Sequence, residues 1–85
     1  MDRNDLQIEL IENECLLADG FDSALIGITD GLNSVAVYDS NLCIQVLIKE
    51  GMKEIDAIEH FYSNVLGSYV GDKTPIFIKQ LTTNI

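Results

Sequence analysis

The most constraining feature of the sequence is a pair of strand-like stretches on either side of a turn. Apolar side chains alternate through residues 23–29, and residues 34–38 contain valines and a tyrosine, which favour extended backbone. Residues 30–33, Asp-Gly-Leu-Asn, have the composition of a tight loop. These segments together predict an antiparallel β-hairpin. Leu25 and Thr29 are predicted to lie on the sheet face that a single layer of helices, packed on the other face, would leave partly exposed.

Two amphipathic helices are predicted after the hairpin. The first begins at Asp39 or Ser40, whose side chains can accept hydrogen bonds from free backbone amides, and it ends at Gly51. The second follows Met52 and ends at Gly67. The apolar positions that we expect to face the core are Leu42, Cys43, Val46 and Leu47 in the first helix, and Ile55, Ile58, Tyr62, Val65 and Leu66 in the second.

A C-terminal strand and an N-terminal helix complete the predicted order of elements. Pro75 leads into Ile-Phe-Ile at residues 76–78, which favours a strand. Residues 5–12 fit a short helix, although the alternation of their apolar side chains also fits a strand. Because 85 residues have room for one core, we expect a single α+β domain over residues 1–85, with its core between about residues 15 and 80. The predicted architecture is a three-stranded antiparallel or mixed sheet packed against a helical hairpin.

The charge of the chain is concentrated in its N-terminal half. Fourteen acidic and five basic residues give a net charge of −9 at pH 7. Residues 1–40 hold nine acids and one base, whereas residues 41–85 hold five acids and four bases, so the halves carry −8 and −1. Direct binding to nucleic acid or to an anionic membrane is therefore not expected. The acidic half either steers association with a protein partner that has a basic surface, or serves solubility alone.

The cysteines and the N-terminus indicate a reducing compartment. Cys15 and Cys43 are not spaced as a metal-binding pair, and both have apolar neighbours, so we expect free thiols in the core. No basic segment followed by an apolar stretch begins the sequence, so a cytoplasmic location is expected. No apolar run is long enough to cross a bilayer. The core is thin, which leaves a homodimer as an open alternative.

Four aspartates on predicted loops and element ends are the first candidate binding residues: Asp19, Asp22, Asp39 and Asp72. Converging carboxylates can hold Mg²⁺ or Ca²⁺, so a metal-assisted hydrolase is one alternative function. Aspartates at turns and helix starts more commonly accept hydrogen bonds from backbone amides. We therefore predict no metal ligand, no cofactor and no catalytic residue.

The remaining candidates lie on and after the second predicted helix. His60 is the only histidine, and we expect it to be exposed and paired with Asp56, because no serine or cysteine stands in a nucleophile motif. Phe61 and Tyr69 are candidate binding residues. They would form a partner-binding patch if both were exposed, and core packing is the alternative.

Several short segments can be compared with a known family. They are Leu-Ala-Asp-Gly-Phe-Asp at 17–22, Val-Ala-Val-Tyr-Asp at 35–39 with Cys43 shortly after, Gly-Met at 51–52, Ala-Ile-Glu at 57–59, Asn-Val at 64–65 with Gly67, and Tyr-Val-Gly-Asp-Lys-Thr-Pro-Ile-Phe at 69–77. Together they resemble a family of small tailed-bacteriophage proteins of unknown activity. The resemblance implies a phage origin and the cytoplasm of an infected bacterium. That family has Ser or Thr at the start of the second helix where this chain has Lys53.

The sequence thus predicts a small acidic, non-enzymatic module for protein interaction or an accessory role. A sharper variant is a nucleic-acid mimic, which would present carboxylates with the spacing of backbone phosphates to a DNA-binding protein. The metal-assisted hydrolase remains the enzymatic alternative.

Overall fold

The computed structural model describes residues 1–68 and 71–81, and it confirms the predicted α+β fold. The elements in chain order are α1 (Arg3–Glu12), β1 (Leu25–Ile28), β2 (Ala36–Asp39), α2 (Ser40–Lys49), α3 (Glu54–His60) and β3 (Ile76–Ile78). A 3₁₀ turn at Asp22–Ala24 precedes β1, and a π-helical turn at Phe61–Val65 continues α3. Within the described residues, no helix has the length and apolar character needed to span a membrane.

The sheet is mixed, with β2 in the centre. Its order is β1-β2-β3, and β2 pairs antiparallel with β1 and parallel with β3. The short loop between β1 and β2 allows the antiparallel pair, whereas α2 and α3 carry the chain back from β2 to β3 and so allow a parallel pair. Tyr38 in the central strand lies opposite Leu25 on one side and Phe77 on the other.

A bulge in β1 makes the predicted facing of Leu25 wrong. Leu25 pairs with Tyr38, and Gly27 pairs with Val37. Between these two pairs β1 advances by two residues and β2 by only one. The extra residue reverses the alternation at this point, as a β-bulge does. Leu25 therefore faces the core with 3% of its surface exposed, and Thr29 is half-buried beyond the end of the strand.

The N-terminal segment is helical, and α1 begins two residues before the predicted helix. The Asp2 carboxylate caps it by accepting a hydrogen bond of 2.9 Å from the amide of Asp5. Leu6 and Leu10 are buried, and α1 packs beside β1. After the helix, Glu14 has a φ of 57°, which is a left-handed conformation that favours glycine.

The helix α2 starts as predicted because Asp39 caps it. The Asp39 carboxylate accepts a hydrogen bond of 2.8 Å from the amide of Leu42. Cys43 and Leu47 are buried as expected, but Leu42 is exposed, so its predicted core position is wrong. In α3 the capping position is occupied by Lys53, whose side chain makes no capping hydrogen bond.

An aromatic cluster joins the sheet to α3. The ring of Phe77 stacks on Tyr38 with centroids 5.6 Å apart, and it meets Phe61 edge-on at 5.5 Å. The Tyr38 hydroxyl accepts a hydrogen bond of 2.8 Å from the buried amide of Ala18, which ties the loop after α1 to the central strand. These contacts fix which side of α3 faces the sheet.

The buried side of α3 differs from the predicted side. Ala57, Phe61 and Val65 are buried, each four residues after the last. Ala57 is small enough to let α3 approach α2, and Phe61 completes the aromatic cluster. Of the five residues predicted to face the core, only Val65 does so, and the exposed ones are Ile55, Ile58, Tyr62 and Leu66.

Candidate functional site

The four predicted aspartates lie in different surroundings. Asp39 is buried, whereas Asp19, Asp22 and Asp72 are exposed. The backbone carbonyls of Asp22 and Asp72 accept hydrogen bonds from the side chains of Arg3 and Asn33. In residues 1–68 and 71–81 no group of three or more His, Cys, Asp or Glu side chains is placed to hold a metal ion.

Asp39 has a structural role that accounts for both of its carboxylate oxygens. One oxygen caps α2 at Leu42, and the other accepts a hydrogen bond of 2.8 Å from the Gln80 side chain beyond β3. Burial, and then the negative charge of Asp39, raise the pKa of the Cys43 thiol to about 12. Cys43 is therefore protonated near neutral pH and is no nucleophile there. Cys15, also a free thiol, is half-buried and lies 3.0 Å from the backbone carbonyl of Ser34.

The predicted aromatic patch is not formed by Phe61. Its side chain is 0% exposed and belongs to the core, so it cannot contact a partner directly. Tyr69 lies outside the described residues. The neighbouring Tyr62 is exposed, and its ring packs edge-on against Phe61 at 5.1 Å.

His60 lies in a polar cleft along one side of α3. Its Nδ1 accepts a hydrogen bond of 3.0 Å from the Asn64 amide, so its partner is Asn64 and the predicted pairing with Asp56 is wrong. The ring is half-buried. The cleft has a volume of about 400 Å³ and is lined by Met52, Asp56, Glu59, His60, Ser63 and Asn64. All of its walls come from a single helix and its flanks.

A second cleft, of about 530 Å³, lies between the start of α1 and β1. Its walls include Arg3, Leu6 and Ile26. The Arg3 guanidinium donates to the carbonyl of Asp22 and, at 2.7 Å, to the carbonyl of Leu25. The one basic side chain of residues 1–40 is thus engaged with backbone oxygens beside β1.

The outer side of α1 carries carboxylates and large apolar side chains together. We call Asp5, Ile8, Glu9, Ile11 and Glu12 the acidic face of α1; Glu9 is half-buried, and the other four are exposed. Ile8 is 48% exposed and Ile11 is 64% exposed. The carboxylates follow one another at four and three residues, which places them about 6 and 4.5 Å apart along the helix axis.

Towards the C-terminal end of α1 this arrangement of charge opposes the stability of the helix, whereas Asp5, in the first turn, favours it. Carboxylates four residues apart repel each other, and Glu12 lies at the helix C-terminus, where the helix dipole is negative. The last turn has no basic residue. Sequence reasoning located the acidic half but missed this face, because residues 5–12 fitted a strand as well as a helix. The spacing of the acids at three and four residues was the available signal.

Exposed apolar side chains also occur on α3 with its extension and on β3. Ile55, Ile58, Tyr62 and Leu66 are exposed along α3 and the turn that continues it, and Ile76 and Ile78 are exposed on β3, on the opposite face of the strand from Phe77. The Lys79 ammonium lies 5.9 Å from the centroid of the Tyr62 ring, so the chain just after β3 reaches the side chains of the α3 region. The periodicity of these residues was evident in the sequence, but their exposure was not.

In comparisons with known proteins, no family model, no curated protein and no solved structure matches the chain. The resemblance to small bacteriophage proteins therefore stays a prediction.

Proposed function

We propose that this protein is a small, non-enzymatic interaction module that binds a protein partner with a basic surface through the acidic face of α1. The observation that carries the proposal is that Glu9 and Glu12 are placed against the stability of the last turn of α1, which has no basic residue. Proteins depart from such local rules chiefly where function requires it. A cationic partner would turn this unfavourable arrangement into a favourable one.

The size of the conflict can be estimated from the helix itself. Each like-charge pair at three or four residues costs about 0.2–0.5 kcal/mol. A carboxylate at the C-terminal end of a helix costs about 0.3–1 kcal/mol. Asp5 and Glu9 form one such pair, Glu9 and Glu12 form another, and Glu12 lies at the C-terminal end. Asp5 in the first turn offsets about 0.3–1 kcal/mol of this cost at the positive end of the helix dipole. Arg3 does not neutralise them, because it is bound to backbone carbonyls beside β1.

The two isoleucines give the face its capacity for affinity. Charged groups chiefly set the rate and orientation of association, whereas buried apolar anchors supply much of the binding energy. Ile8 and Ile11 are exposed beside the carboxylates, and a partner would remove both from water. The expected partner surface is therefore an apolar groove with Lys or Arg side chains at its rim.

The distribution of charge supports this choice of partner. The half of the chain that contains α1 carries −8, against −1 for the other half. Such asymmetry orients an approaching cationic surface towards α1 before contact. The attraction is screened by salt, with a Debye length of roughly 8–10 Å at physiological ionic strength.

The test is affinity capture from bacterial lysate with the full chain as bait, at low and at high salt. Two variants with the same change in charge are compared with the wild type. Glu9→Gln/Glu12→Gln alters the acidic face, and Glu50→Gln/Asp72→Asn alters exposed acids elsewhere.

We expect a stoichiometric basic protein that binds the wild type and the Glu50→Gln/Asp72→Asn control at low salt, and that binds Glu9→Gln/Glu12→Gln poorly. Equal capture by both variants, or no stoichiometric partner in any sample, would refute the proposal. If duplex DNA competes with the protein for the captured partner, the protein acts as a nucleic-acid mimic.

A further inference from the structure

We propose that α1 is a lid on the sheet, which detaches from β1 while the rest of the domain stays folded, with the Arg3 side chain as its latch. Three features of the closed position support this. The helix buries few of its side chains, its first turn is held across a cleft, and the chain after it is fixed to the central strand by a separate contact. The inference concerns the free chain and does not depend on a basic partner.

The burial of α1 is low for a helix of its length. Only Leu6 and Leu10 are buried, whereas α2, which also has ten residues, buries four. A segment with few buried apolar contacts opens at a lower free energy than the core does. A helix of ten residues is marginal in water on its own, so α1 should lose its helical hydrogen bonds when it detaches. Six of its residues are exposed even in the closed position: Arg3, Asn4, Asp5, Ile8, Ile11 and Glu12.

The first turn of α1 is held to the sheet by the Arg3 guanidinium. Its Nη1 donates to the carbonyls of Asp22 and Leu25, the second at 2.7 Å. The cleft of about 530 Å³ lies between this turn and β1, so the packing of the two against each other is incomplete here. Hydrogen bonds from a charged donor are stronger than neutral ones, and these two exist only while α1 lies beside β1. Arg3 therefore acts as a latch on the closed position.

The segment after α1 can serve as the hinge. Residues 13–14 are exposed, and Glu14 holds a left-handed φ of 57°, a strained conformation for a residue other than glycine. Four residues further on, the amide of Ala18 donates to the buried Tyr38 hydroxyl at 2.8 Å and fixes the chain to the central strand. A change in the backbone at residues 13–14 can thus move α1 without moving the sheet.

The test is native-state hydrogen exchange of the full chain, at a pH where the exchange rate reports the opening equilibrium. The amide of Leu10 reports on α1, and the amide of Leu47 reports on α2; both are helical leucines with buried side chains. Each rate is divided by the intrinsic rate of that amide in an unstructured chain. Val65→Ala then weakens the core outside α1, because Val65 is a buried residue of the turn that continues α3.

We expect the Leu10 amide of the wild type to exchange at least about tenfold faster than the Leu47 amide. Val65→Ala should accelerate exchange at Leu47 by at least about tenfold, because it leaves a cavity in the core, while the rate at Leu10 stays within about twofold. Equal rates at the two amides in the wild type would overturn the proposal, because α1 would then open only when the whole domain unfolds. Equal acceleration of both amides by Val65→Ala would overturn it for the same reason.

Arg3→Gln tests the latch. It removes the charged donor from two backbone carbonyls, so the Leu10 amide should exchange at least about tenfold faster than in the wild type. Lys53→Gln is the matched control, because it removes the same charge from an exposed side chain that makes no capping hydrogen bond at the start of α3. This control should leave the rate at Leu10 unchanged. An unchanged rate in Arg3→Gln, or the same acceleration in both variants, would overturn the proposal. All of these samples contain the chain alone, so their outcome is separate from the capture of a basic partner.

Discussion

The charge conflict in α1 predicts that reversing a single charge stabilises the free protein. Glu12 is the last residue of the helix and lies three residues after Glu9. Glu12→Lys removes one like-charge pair and creates an attractive one, each worth about 0.2–0.5 kcal/mol. It also replaces an anion with a cation at the negative end of the helix dipole, which contributes about 0.3–1 kcal/mol. Glu and Lys have similar helix propensities, so the net gain is about 1 kcal/mol.

Urea and thermal unfolding at low ionic strength measure this gain. For a domain of this size, 1 kcal/mol corresponds to a rise in Tm of about 4–8 °C. Glu12→Gln, which only removes the negative charge, should give roughly half of it. The gain should shrink at high salt, because the charges are at the surface. A Glu12→Lys protein no more stable than the wild type at low salt would refute the electrostatic account of α1.

Three further predictions concern the core and the end of α1. Tyr38→Phe should lower the free energy of unfolding by about 1–3 kcal/mol, because it leaves the buried amide of Ala18 without its acceptor; an unchanged urea midpoint would contradict that hydrogen bond. Glu14→Gly should raise stability by about 1 kcal/mol, since glycine adopts the positive φ without strain, and a loss of stability in the same assay would count against the left-handed cap. In native protein a disulfide reagent should modify Cys15 long before Cys43, and equal rates would show that Cys43 is not buried.

The raised pKa of Cys43 also sets a dependence of stability on pH. The thiol ionises near pH 9 in the unfolded chain and near pH 12 in the folded chain, so the folded state holds the proton between these values. The free energy of unfolding therefore falls as pH rises from about 9 towards 12. Cys43→Ala should show a shallower fall over that range, and a fall of the same slope would assign the effect to other groups.

The parts of the fold that the sequence predicted correctly are those with strong local signals. The loop at residues 30–33 specifies the hairpin, and the Asp39 cap specifies where α2 begins. Pro75 marks the residue before β3, where its missing amide costs no ladder hydrogen bond. In each case a few neighbouring residues determine the conformation without help from distant contacts.

The errors arose where tertiary contacts decided the outcome. In α3, two adjacent stripes are apolar, and periodicity alone does not say which one is buried. The choice is made by Phe61, which meets Phe77 from β3, a strand about fifteen residues later in the chain. The bulge that turns Leu25 inward has no signal beyond a glycine. The unexpected exposure of Ile55, Ile58 and Leu66 follows from the misjudged face of α3.

The candidate binding residues show the same division between features set by local sequence and features set by tertiary contacts. Asp39 was placed correctly at a cap because capping is local, whereas the burial of Phe61 depends on the packing of three elements. The acidic face of α1 required a decision between helix and strand for residues 5–12. That decision rests on the Asp2 cap and on the packing of Leu6 and Leu10, which only the folded chain reveals.

The most direct test of the central claim, that α1 sacrifices stability for binding, is capture of the basic partner by the Glu12→Lys protein at low salt. Because this variant should be the more stable protein, unfolding could not explain a loss of binding. We predict at least about tenfold less captured partner than with the wild type, the ratio expected when an attractive charge contact becomes repulsive. Capture equal to or greater than that of the wild type would contradict the claim.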